Sequence, residues 1–175
     1  LAPLGIHAQN PHGTFIEVHY SPAENLETVD LGILDKAQHN IDMVLYAFDD
    51  KPLAAELLKL AQRGVTIRIY RDQTQYEGEL ARGKKGGENL TTMFAGVAGV
   101  QIKIKGSRAL AHLKAYCVDC DANGGTLREG SANWSAQGEK VQDNSLLVIR
   151  DRAAQQLFES NFAVVWARPT NQTQQ

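Results

Sequence analysis

From residue 15 to residue 70 the apolar pattern switches repeatedly between the period of a strand and the period of a helix. FIEVHY (15–20) reads as a strand. Over 25–39, Leu26, Val29, Ile33, Leu34 and Ala37 fall on one helical stripe. IDMVLYAF (41–48) is a nearly continuous apolar run, which marks a strand covered on both faces. Asp49 or Asp50 can cap the next helix, Pro52 suits its first turn, and Leu53, Leu57, Leu60 and Ala61 give it an apolar face. Gly64 ends that helix, and VTIRIY (65–70) alternates as a strand. Strands linked by helices return to the same end of a sheet, so they pair in parallel. The expected fold is α/β, a mixed, mainly parallel sheet with helices on both faces.

Residues 1–14, with Pro3, Pro11 and two glycines, read as an irregular arm. Residues 15–168 then form one domain, and PTNQTQQ (169–175) reads as a disordered tail. The glycine-rich ARGKKGGEN points to a flexible loop within 72–88, followed by a helix at about 88–96. QIKIK (101–105), HLKAYCVD (112–119), the stretch leading into REGSANWS, and NSLLVIR (144–150) read as further strands. A last helix over 152–167 places Ala154, Leu157, Phe158, Phe162, Val165 and Trp166 on one side. The longest apolar run is MVLYAF, far below the roughly 20 residues of a membrane-spanning helix. Cys117 and Cys120 lack the second ligand pair of a four-ligand zinc site, and Cys117 reads as a small core hydrophobe.

HLKAYCVD carries the first chemical signal. Side chains alternate along a strand, so His112 and Lys114 point to the same face, an imidazole and an ammonium aimed at one spot. Asp119 ends the same segment. GSAN follows at 130–133, and Asp143 and Asn144 open the next strand. Adjacent antiparallel strands would gather these groups at one edge, giving a nucleophile, a cation, and hydroxyl and amide donors.

On these residues the chain resembles the phospholipase D superfamily, phosphodiesterases with an HKD motif: His112, Lys114 and Asp119, then Gly130, Ser131 and Asn133. The likeness runs over about residues 16–167, including YSP at 20–22 and the Tyr46-x-Phe48 strand ending, and its short single-motif form is most similar to the small bacterial endonucleases of the group. The resemblance implies a double displacement: one histidine attacks phosphorus, a second protonates the leaving alkoxide, and water cleaves the phosphohistidine. Lys114, Asn133 and Ser131 would stabilise charge on the non-bridging oxygens, with no metal or other cofactor needed. One motif supplies one histidine, so the implied enzyme is a homodimer with a shared site. Many relatives place a Glu near Asn144 to orient the imidazole; an amide would stabilise imidazolium less. Asp119 is left between a turn, an interface ion pair and direct catalysis, because its odd spacing from His112 puts it on the opposite face of a regular strand. Tyr46 and Phe48 line a substrate groove or pack in the core.

The net charge of −2 excludes a strongly basic DNA-coating protein but allows a local groove, for which Lys105 and Arg108 are substrate-binding candidates. The leading expectation is therefore a metal-independent nuclease acting on DNA or RNA. A phospholipid phosphodiesterase, with TTMFAGVAGV (91–100) as apolar entrance, is the alternative; a binding module that has lost turnover is a third class. The start at Leu1 fits a processed chain, and the expected location is periplasmic or secreted, with the cytoplasm as the other option.

Overall fold

The computed structural model describes residues 8–9, 14–86, 89–121 and 124–174. Its strands are β1 (Ala8–Gln9), β2 (Phe15–Ser21), β3 (Asn40–Leu45), β4 (Thr66–Arg71), β5 (Val100–Ile104), β6 (Lys114–Val118), β7 (Thr126–Gly130), β8 (Asn144–Arg150) and β9 (Gln172–Thr173). Its α-helices are α1 (Leu26–Leu34), α2 (Lys51–Gln62), α3 (Gln73–Lys84), α4 (Ala136–Lys140) and α5 (Arg152–Trp166). The strands form a nine-stranded sheet in the order β1-β2-β8-β7-β6-β3-β4-β5-β9.

The sheet is mixed, as expected, but not mainly parallel. Only β3–β4 and β4–β5 pair in parallel; the other pairings, from β1 through β6 to β3 and from β5 to β9, are antiparallel. The cause lies after β5. The connection from β6 to β7 is too short to hold a crossover helix, and β7 reaches β8 through the single turn and a half of α4, so each strand returns beside the last in the opposite sense.

Helices do cover both faces. Leu26 and Leu34 of α1 and Leu53 and Leu57 of α2 pack on Met43 and Leu45 of β3. On the other face Phe158 and Phe162 of α5 pack on Val44, Ala115 and Cys117. Successive β3 residues thus enter opposite cores, which is why the run reads as continuously apolar. Cys117 and Cys120 are both buried and joined as a disulfide, a bond the core-hydrophobe reading did not include.

Three expected elements change. The flexible loop within 72–88 is largely the helix α3, capped by the Asp72 carboxylate, which accepts from the Gln75 N–H at 3.0 Å. Its inward Glu79 meets buried Arg71 at 2.5 Å, an anchor no apolar stripe announces. The tail expected to be disordered sends Gln172–Thr173 alongside β5. The helix expected at 88–96 is a 3-10 segment, Leu90–Phe94. Most of the arm 1–14 lies outside the described residues, except that Ala8–Gln9 pair with β2.

A buried charge cluster joins α1, α4 and β7. Arg128 is fully buried and donates from Nε to Asp30 Oδ1 at 3.0 Å and from Nη2 to Asp30 Oδ2 at 3.1 Å. Tyr116 donates its hydroxyl to Asp30 Oδ1 at 2.7 Å. Glu139 lies 3.4 Å from Arg128, is itself buried, and leaves Oε2 without a hydrogen-bond partner. Burial, reinforced by the charge of Asp30, pushes the Glu139 carboxyl from an ordinary 4.5 up to about 9. The folded chain therefore keeps a proton there that the unfolded chain releases near 4.5, so this contribution is complete in acid and is lost as pH rises through about 9. Wild-type thermal midpoints should accordingly decline from pH 6 to 9.5, and Glu139→Gln should flatten that decline. Equal slopes for the two proteins, measured by circular dichroism melts in matched buffers, would remove Glu139 as the cause.

Candidate active site

The edge that carries the C-terminal ends of β3, β4, β5 and β7 also carries the N-terminal ends of β6 and β8. Register explains the gathering. Leu45 of β3 faces Lys114 of β6, and Gly130 of β7 faces Leu146 of β8. Open sheets place ligands beyond such strand ends, in crevices where connections diverge.

His112 precedes β6, rather than lying within it, and is exposed, whereas Lys114 is buried with 5% of its surface accessible. The strand alternation expected for the pair is therefore incomplete, yet their polar groups meet. Lys114 Nζ lies 3.1 and 3.0 Å from the two ring nitrogens of His112 and donates to the His112 carbonyl at 2.7 Å. The His112 ring stands edge-on to Tyr46, 4.5 Å between centroids, and Lys114 Nζ sits 4.9 Å from the Tyr46 ring centre. Tyr46 is fixed from its far side, its hydroxyl accepting from Gln75 Nε2 at 3.0 Å. A cation over an aromatic face gains electrostatic support without losing its charge. Burial holds the Lys114 ammonium below the ordinary lysine range, opposed by the attraction of Glu129 and aided by the repulsion of Arg128.

GSAN forms a second group at the same edge. Ser131 donates from Oγ to Asn144 Oδ1 at 2.9 Å and accepts from the Ser145 N–H at 3.0 Å. Asn144 donates from Nδ2 to the Gly138 carbonyl at 3.0 Å. It thus orients the turn and α4 rather than the imidazole. A Cβ on Gly130 would lie 2.2 Å from the Ser145 carbonyl oxygen, so only glycine lets β7 end this close to β8. The side-chain oxygen of Asn133, beside the turn, is buried and has no hydrogen-bond partner.

The other sequence candidates separate. Lys105 and His112 line one cavity of about 200 Å³. Arg108 is exposed and pairs with Glu77 of α3 at 2.8 Å, outside that cavity's wall. Phe48 is core, stacked on Phe94 at 5.9 Å and tilted against Trp134 at 5.7 Å, so it lines no groove. Asp119 sits at the opposite end of β6, roughly 16 Å from Lys114 at a strand's rise. Its carboxylate accepts from the backbone N–H groups of Gln38 at 2.9 Å, His39 at 2.8 Å and Asn40 at 2.9 Å. That placement is structural and corrects the expectation of a direct catalytic part.

Sequence reasoning missed Arg128. Its Nη1 donates to the Lys114 carbonyl at 2.6 Å and to the Ala132 carbonyl at 3.3 Å, bracketing both motifs from below. The available signal was a lone arginine in the strand TLREG, easily read as a solvent-facing position.

Residues 31–166 match the family model described as cardiolipin synthase, PLD-like domain. The chain is 26% identical over 134 residues to the mitochondrial cardiolipin hydrolase of Xenopus tropicalis, covering 77% of this chain and 58% of that protein. It therefore spans less than three fifths of that relative. Among solved structures, the phospholipase D family member Nuc from Salmonella typhimurium superposes with a TM-score of 0.78 at 20% identity, covering 93% of this chain and 99% of Nuc. NucT from Helicobacter pylori gives 0.72 at 18% identity, covering 87% and 96%. At such identities these two likenesses speak for the fold.

Asp119→Ala removes three charge-assisted bonds and should cost about 2–3 kcal/mol in urea unfolding. A change under 0.5 kcal/mol would mean that the carboxylate does not hold this junction.

Proposed function

Because the chain belongs to the phospholipase D-like family, we propose that it is a metal-independent phosphodiesterase, an endonuclease that cleaves DNA or RNA through a covalent phosphohistidine. The meeting of His112 and Lys114 at the sheet edge carries this reading. One imidazole attacks phosphorus while a second delivers its proton to the departing alkoxide. Water then attacks the phosphohistidine, its proton passing to the second ring, now a base. Lys114 supplies fixed positive charge against the non-bridging oxygens, with the Asn133 amide N–H as a hydrogen-bond donor, while Ser131, whose proton goes to Asn144, holds the turn that carries Asn133. Tyr46 holds Lys114 and His112 against each other.

The second imidazole would come from another copy of the chain. Of the other described histidines, His19 is bonded by Glu24 and Glu17, and His39 lies at the opposite end of β3. Tyr20 stands 58% exposed at the active edge, beside the start of β8, which supports burial of this edge in a homodimer across the twofold axis. The buried disulfide supports an oxidising location, periplasmic or secreted. Among the described residues no helix is long and apolar enough to cross a membrane.

Phospholipid hydrolysis is the second reading, favoured by the cardiolipin hydrolase name of the curated relative. The stretch 91–100 lends it little: Thr91 and Phe94 are buried, although Met93 is 45% exposed.

His112→Asn should abolish hydrolysis of plasmid DNA, single strands and RNA with EDTA present, and leave the thermal midpoint within a few degrees. Retained turnover would remove His112 from the chemistry. Strong inhibition by EDTA, reversed by a divalent ion, would defeat the metal-free reaction. Faster cleavage of phosphatidylcholine than of any polynucleotide would favour the lipid reading. The pH–rate curve should be bell-shaped, because one imidazole must be neutral to attack while the other must be protonated to donate; a rate that only rises with pH would remove the acid imidazole. Sedimentation should give a dimer; a fully active monomer would rule out the shared site.

A further inference from the structure

The cavity beside His112 is lined on its far side by the end of α5 and the chain that follows it, where Lys105, Arg168, Leu110, Leu113 and Val165 enclose about 200 Å³. That is too small for a whole small-molecule ligand and right for one group of a larger one. No carboxylate lines it among the described residues. Asp72, behind the wall, already accepts from the N–H groups of Ala111 at 2.8 Å and Gln75 at 3.0 Å.

The segment holding Arg168 is built into place. Asn171 donates from Nδ2 to the carbonyls of Val165 at 2.9 Å and Trp166 at 3.1 Å, and its Oδ1 accepts from the Tyr70 hydroxyl at 3.1 Å. Gly106 lets the segment close over the end of β5: a Cβ there would stand 1.8 Å from the Thr170 carbonyl oxygen. Arg168 itself makes a long contact of 3.5 Å to the Tyr70 hydroxyl, a weak bond that leaves most of its donors free for a ligand. Lys105 Nζ gives one of its three donors to the Leu110 carbonyl at 3.1 Å.

We propose that Arg168 and Lys105 form a second phosphate subsite, taking the phosphodiester adjacent to the one attacked at His112 along a single polynucleotide strand. The assignment rests on the nuclease reading and names the part of the substrate that the reading leaves open. Arg168 lies just beyond the 31–166 family match. Two cations over apolar walls suit a sugar–phosphate step, with the sugar against Leu110 and Leu113 and the phosphate between the cations.

The test measures binding of a fluorescent single-stranded decanucleotide by anisotropy over a range of KCl concentrations, in a His112→Asn background that prevents cleavage. Arg168→Ala should weaken binding roughly tenfold and reduce the salt slope by about 0.7, the signature of one lost phosphate contact. Arg168→Lys should keep the slope, and Lys59→Ala, on exposed α2, should change neither quantity. An unchanged slope for Arg168→Ala overturns the subsite, as does a loss equalled by Lys59→Ala. Weakened binding to cardiolipin vesicles with none to the decanucleotide overturns its assignment to nucleic acid. Hydrolysis of bis(4-nitrophenyl) phosphate by the wild-type protein separately tests the reaction at His112; its absence sinks that reaction, while the salt slope still judges the subsite.

Discussion

One buried guanidinium organises the active edge. Arg128 meets Asp30 of α1 and Glu139 of α4 on one side and the carbonyls of Lys114 and Ala132 on the other. Removing a charge of this size from water costs several kcal/mol, and the carboxylate of Asp30 with the two carbonyls offsets it only in this geometry. Any shift of α1 or of the GSAN turn would leave a buried donor without a partner. The two motifs that sequence reading treats as neighbours are neighbours because they share this hidden ligand. Glu139, kept protonated by its surroundings, lets the cluster hold one positive charge against one negative rather than two.

Charge elsewhere is sorted in the same manner. Arg71 is buried and tied to Glu79, Arg68 is paired with Asp42, and Arg108 reaches Glu77. The cations left facing the His112 cavity, Lys105 and Arg168, are a small share of the chain's basic residues. A net charge of −2 therefore says little about local affinity, because most arginines answer to specific acids while a few address the ligand side.

Much of the scaffold could be read from patterning alone. The alternation from β2 to β4 is set by burial on known faces, and β3 enters two cores as its apolar run requires. Adjacent antiparallel strands were expected around the site, but that antiparallel pairs prevail across the whole sheet could not be read so, because it depends on connections whose turns carry no apolar signal. α3 was obscured by Gly78, Gly83 and its polar surface; its anchor is the ion pair of Glu79 with Arg71, a long-range contact. At the site, His112, Lys114 and the GSAN turn were visible as types at a spacing. Arg128 was not, since its value lies in partners from four segments of the chain. Tyr46 and Phe48 were left open between groove and core; Tyr46 lies against His112 and Lys114 while Phe48 packs in the core, because β3 ends at Leu45 and strand alternation no longer relates the two.

Asp119, far from any ligand, has a consequence at the other end of its strand. By clasping three successive amides at the start of β3, it pins β6 to β3 in one alignment. A slip of a single residue would turn Lys114 over to the α5 side of the sheet and present Ala115 in its place. The clasp thus acts as a ruler whose zero mark is at one rim of the sheet and whose reading is taken at the other, where it decides which way an ammonium points.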